Sequence, residues 1–234
     1  MTAARNLAWV YAATLVWFLV APALPEVDGA DAATLAAGIP ALMLLAACTL
    51  VLLPLRDATA ALALLALGAG MIAAALTEIG ADAGANAGKA LFAGAVGFLL
   101  VRVLATPAVV IAVPLFVSAV DIASVLDGPS AVLMRGESGV SDFLTFTIPA
   151  LGGGRAGALA ISDLIFCAFF AGCAWHYGLR RRTTAIALLL ALPLALVVAV
   201  LAGRGVATVP FLSAALLLPN LDLLPALLHH HRPE

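Results

Sequence analysis

The segment VPLFVSAVDIASVL, residues 113–126, is apolar except for its two serines and one acid, Asp121. With its apolar neighbours it is long enough to cross a bilayer as a helix. A carboxylate there is expensive, about 3 kcal/mol or more at a helix centre, so acids in such runs are rare and mark function by default. The next apolar run, GALAISDLIFCAFF at residues 157–170, carries a second acid, Asp163. Two acids on consecutive apolar segments suggest that they face one another. A facing carboxyl pair that shares a proton is the working part of an aspartic protease.

The rest of the chain agrees with a lipid environment. Of 234 residues, 65% are hydrophobic and only 10% charged, and the mean hydropathy is +1.17. Soluble domains hold about 45–50% apolar and about 25% charged residues. The net charge of −2 argues against a nucleic-acid partner. Abundant Ala and Leu with few aromatics favour helices over a β-barrel, whose strands alternate. This composition also has the flavour of a GC-rich bacterial genome, which places the chain in a bacterial cytoplasmic membrane. Cys48, Cys167 and Cys173 lie in apolar runs without metal-ligand spacing and read as small buried hydrophobes. Arg5 before the first apolar run and the sequence APA after it resemble a signal peptide. That run is too long for one, and a retained helix is expected.

Eight spans of about 20 apolar residues are expected: 7–24, 34–55, 59–78, 87–105, 107–126, 157–178, 183–202 and 207–228. The fold class is therefore an all-α polytopic membrane protein. Residues 1–106 form a four-helix N-terminal part, and 107–234 a C-terminal part with both acids, within one integrated membrane domain. Alternating spans put Arg5, Arg56, Arg102 and Arg180-Arg181-Arg182 on one side, expected to be cytoplasmic. The other side receives Glu26, Asp28, Asp31, Glu78, Asp82 and the long 127–156 connection, with Arg135, Arg155 and Arg204 as exceptions. Both aspartates then lie about six residues, or roughly 9 Å, below the outer ends of two oppositely directed spans. Pro210 enters the last span from the same side.

Three motifs follow in order: Val120-Asp121, then Ala160-Ile161-Ser162-Asp163, then Pro210-Phe211-Leu212. In order and spacing they resemble the presenilin and signal peptide peptidase family of intramembrane aspartyl proteases, over roughly residues 107–220. That family has Tyr-Asp on one helix, Gly-x-Gly-Asp on the next and Pro-Ala-Leu opening the last. Here Val120 replaces the tyrosine, Ala160 and Ser162 the glycines, and Phe211 the central alanine. The resemblance implies a presenilin-like helical bundle and an endopeptidase that cuts transmembrane segments or signal-peptide remnants. It implies Asp121 and Asp163 as the catalytic pair and Pro210, Phe211 and Leu212 as substrate contacts. The span carrying Asp163 runs inward, which suits substrates with a cytoplasmic N-terminus. The implied partners are transmembrane peptides and the lipid bilayer. No cofactor or metal is called for, and homo-oligomerisation stays open.

The chemistry needs these residue types. Two carboxyls in contact cannot both ionise, so they share a proton and titrate as a pair. Small residues before Asp163 allow close backbone approach. Pro210 cannot donate a backbone hydrogen bond, which frees carbonyls near the start of its helix. The site needs a hydrated cavity between spans. In the long connection, Phe143-Leu144-Thr145-Phe146-Thr147-Ile148-Pro149 is β-prone between Gly139 and Gly152-Gly153-Gly154. A strand there could hold an unwound substrate through Thr145, Phe146 and Thr147 by strand addition; a lipid-surface loop is the alternative.

Other readings of the acids are a proton- or ion-coupled transporter, a structural polar pair, and an inactive protease-like binding protein. Prepilin peptidases also pair aspartates in membrane helices, but the lysine motif that follows their second aspartate is missing after Asp163. Asp222 and the literal Pro225-Ala226-Leu227 fall near the opposite end of the last span, roughly 20 Å from the acids. They read as interfacial. His176 also reads as interfacial, and His229, His230 and His231 as a solvated tail. Neither an HExxH zinc motif nor a GxSxG serine motif occurs in the sequence.

Overall fold

The computed structural model describes residues 2–104, 106–127 and 139–229. In chain order it contains α1 (Thr2–Val20), α2 (Ala30–Leu50), α3 (Thr59–Glu78), α4 (Asp82–Val103) and α5 (Val109–Asp127). A short α6 (Gly139–Leu144) leads into strands β1 (Thr145–Pro149) and β2 (Arg155–Ala160). The chain continues through α7 (Ile161–His176), α8 (Arg181–Ala202), α9 (Val209–Leu217) and α10 (Leu224–His229). Helices α1 to α5 and α8 are long and apolar enough to cross a membrane, so the chain reads as an integral membrane protein.

Two of the eight expected spans come out shorter. The 157–178 span gives its start to β2, because Gly157 to Ala160 pair with Thr145 to Ile148. The 207–228 span breaks after Leu217 into a 3-10 turn at Leu218–Asn220. Pro219 has no N–H to continue the helical ladder there. Within the β-prone stretch, Phe143 and Leu144 join α6 and only Thr145–Pro149 is strand. Its partner strand returns through Gly152, Gly153 and Gly154, at φ +78°, +99° and +86°. Only glycine takes such values without strain. Gly152 N–H donates to Leu24 O at 2.9 Å, which fastens the hairpin tip to the α1–α2 connection.

The core is built around α7, where Leu164, Cys167, Ala168, Phe169, Phe170 and Ala171 are buried. Helix α4 lies against it through glycines. A Cβ on Gly97 would stand 2.4 Å from Ile165 O, and one on Gly172 2.6 Å from Val101 Cγ2. Helices in lipid gain their contact from such close backbone approach, since lipid tails are as apolar as leucine. Helix α5 is peripheral: Leu115, Phe116, Ile122 and Leu126 are exposed, and its main packing is on α9. Helix α9 also packs on α7 and α8, so it links α5 to the core.

The two ends of the bundle differ in charge. At one end Asp57 pairs with both Arg56 and Arg102, and Asp222 pairs with Arg180 at 2.7 Å. A cleft of about 460 Å³ at this end is lined by Asn6, Arg56 and Trp175, which places the start of α1 there too. At the hairpin end Arg155 stands 4.0 Å from Asp82.

Candidate functional site

Asp163 is the third residue of α7, directly after β2, and not well inside a span as the sequence suggests. Ala160 caps the helix with extended backbone, φ −69° and ψ 143°, and its main chain lies near the Asp163 carboxyl. An acid at this position reaching back to the cap residue is the second half of a capping box. Asp163 is buried. Asp121 lies six residues before Asp127, the last residue of α5, and is half-buried.

The start of α9 joins the two acids. Val209 N–H donates to Asp121 Oδ2 at 2.9 Å. The Thr208 main chain also lies beside Asp121, and the Thr208 side chain lies near the Asp163 carboxyl. Thr208 is the N-cap residue of α9, yet its side chain does not cap its own helix. The sequence explains why a donor is left over. Phe211 and Leu212 N–H both turn to Thr208 O, and Pro210 has none, so Val209 N–H remains for Asp121. Helix N-termini carry partial positive charge, which suits a carboxylate. The two carboxyls are close enough to interact electrostatically.

The expected site residues distribute as follows. Asp121, Asp163 and the Pro210 turn come together; α5 and α7 each pack on α9, which bridges them. Leu212 is buried and Pro210 and Phe211 are half-buried. Ala160 and Ser162 are exposed beside Asp163, and Val120 is 51% exposed, on the outside of α5. Asp222 and Pro225-Ala226-Leu227 lie at the arginine end. His230 and His231 fall outside the described residues, as do residues 128–138 of the long connection.

Sequence reasoning missed Thr208, and it missed Ser118 and Ser213, which join α5 to α9. A signal was there: Ser118 is three residues before Asp121 and Ser213 three after Pro210, the spacing of one helix face. It also missed Asn86 and Lys89 of α4. Asn86 Nδ2 donates to Thr147 O at 2.8 Å, Thr147 N–H donates to Asn86 Oδ1 at 3.4 Å, and Lys89 Nζ donates to Thr145 O at 2.8 Å. The outer edge of β1, where Thr145 and Thr147 were expected to take a substrate strand, is therefore occupied. Alternate residues of an antiparallel pair turn their main-chain groups away from the partner. Thr147 does so, and so does Ala158 opposite it. Among the described residues no backbone bond closes the β2 edge at Ala156 and Ala158.

No family model matches the chain, and neither a curated protein nor a solved structure matches it.

Proposed function

We propose that this protein is an intramembrane aspartyl endopeptidase of the presenilin and signal peptide peptidase kind. Its substrates are transmembrane segments or signal-peptide remnants with a cytoplasmic N-terminus, in the cytoplasmic membrane of a bacterium. The observation that carries the reading is the start of α9, where Val209 N–H bonds Asp121 and Thr208 lies beside Asp163. Acids in apolar helices are costly and mark function by default, and here two of them from two helices meet at the start of a third.

The chemistry follows from a shared proton. The ionised member of the pair takes a proton from water as that water attacks the scissile carbonyl. The protonated member donates to the carbonyl oxygen, giving a tetrahedral diol. Collapse of the diol sends a proton to the leaving amine and restores the single shared proton. The β2 edge, which no described backbone group closes and which runs straight into the helix of Asp163, offers main-chain partners to an unwound substrate.

The test is cleavage of a synthetic transmembrane peptide by the purified protein, followed by mass spectrometry. Asp121→Asn and Asp163→Asn should each abolish hydrolysis, because one carboxyl cannot act as acid and base together. Full turnover in either variant would refute the pair. Proton flux into liposomes without hydrolysis would identify a carrier instead.

A further inference from the structure

We propose that Asn86 and Lys89 are positioning residues that close the β1 edge of the hairpin, so that an extended substrate segment adds only along β2, in the register that leads to Asp163. The inference rests on the protease reading for its substrate, and on contacts within this chain for its geometry.

Asn86 and Lys89 stand three residues apart, on one face of α4, and are only 1% and 3% exposed. A carboxamide and an ammonium buried in an apolar helix are costly without partners. Their partners are main-chain groups of the hairpin and its approach. The Asn86 carboxamide offers Thr147 one donor and one acceptor, the same pair that a peptide unit of a neighbouring strand would offer. Lys89 takes Thr145 O and also Asp142 O. Together they stand where a third strand would lie. An open strand edge pairs indiscriminately with any extended chain, and here one of the two edges is withdrawn.

The same contacts set the height of the site. Thr147 lies opposite Ala158, and Ala158 is two residues before Ala160, the cap residue of the helix that carries Asp163. A hairpin that slips must move by two residues to keep Phe146 and Ile148 buried. Asn86 and Lys89 oppose that slip from outside the sheet. Neither residue reaches the carboxyl pair, so their effect on cleavage is positional.

The experiment introduces Thr147→Cys or Ala158→Cys and cross-links each protein to a synthetic transmembrane peptide carrying single cysteines. The native Cys48, Cys167 and Cys173 are buried and do not compete. Cross-links should form at position 158 and not at 147. In the Asn86→Ala, Lys89→Met background they should form at both, and the cleavage products should spread by two residues. Amide exchange at Thr147 should accelerate at least tenfold in that background while melting shows a folded protein. If the double variant does not fold, Asn86→Ser alone is read for the same changes. Equal cross-linking at 147 and 158 in the parent, none at either, or an unchanged pattern in the variant would overturn the inference. Cross-linking at 158 without hydrolysis would leave it standing and remove the protease reading instead.

Discussion

The hydroxyl of Ser118 donates to that of Ser213 across 2.8 Å, and Ser213 in turn donates to Pro114 O at 3.0 Å. This relay ties the peripheral α5 to α9 one turn from Asp121. Ser213→Ala removes both bonds. Each is worth about 1 kcal/mol, so detergent-solubilised protein should melt lower, and peptide cleavage should fall roughly tenfold as α5 loses its register. Ser118→Ala, which breaks only one bond, should do about half as much.

Thr208 is the polar side chain of the α9 start that lies beside Asp163. Thr208→Val keeps the shape and the Val209 N–H but deletes the hydroxyl. A hydrogen bond to a charged group contributes about 1.5–3 kcal/mol. The turnover number should drop roughly 10- to 100-fold with KM little changed, and Thr208→Ser should restore most of it. Steady-state kinetics on the synthetic peptide decides; a change confined to KM would mean that Thr208 touches substrate instead.

Gly97 lies where α4 and α7 almost touch. A Cβ there meets Ile165 O at 2.4 Å and Ala168 Cβ at 2.6 Å. Backbone cannot yield as a flexible side chain can. Gly97→Val should therefore destabilise by at least the roughly 1–3 kcal/mol of ordinary overpacking, seen as a lower melting temperature or poor insertion yield. Gly68, with nothing near its Cβ position, should accept alanine with no loss.

Asn220 and Asp222 make a contrast within one turn. Buried Asn220 donates to Thr184 Oγ1 and Leu216 O and accepts from Arg180 N–H. Asp222 forms an exposed pair with Arg180. Asn220→Ala leaves a buried hydroxyl and two main-chain groups short of a partner, at about 1–3 kcal/mol. Asp222→Ala should cost less than about 1 kcal/mol and leave cleavage intact. Melting curves of the two variants side by side make the comparison.

The acids were legible because a charge in an apolar run stands out against its neighbours. The third span was legible to the residue, Thr59–Glu78, since nothing tertiary interrupts it. The sixth and eighth were not, because a strand partner and Pro219 override apolar length. Thr208 looks like an ordinary N-cap before Pro210; that it stands beside Asp163 depends on two distant helices meeting. Asn86 sits just outside the span read at 87–105 and Lys89 near its start, so neither stood out from the polar flanks of that span. Their work at β1 emerges only once the hairpin is folded back over α4.

The order of the residues along the chain sets a schedule. Asp121 and Asp163 both leave the ribosome before Thr208 and Val209, and domains form from the N-terminal side during synthesis. Until α9 inserts, the two acids have no common anchor and α5 has lost its principal neighbour. The carboxyl pair is thus assembled only once α9 is in place, after both acids have already entered the membrane.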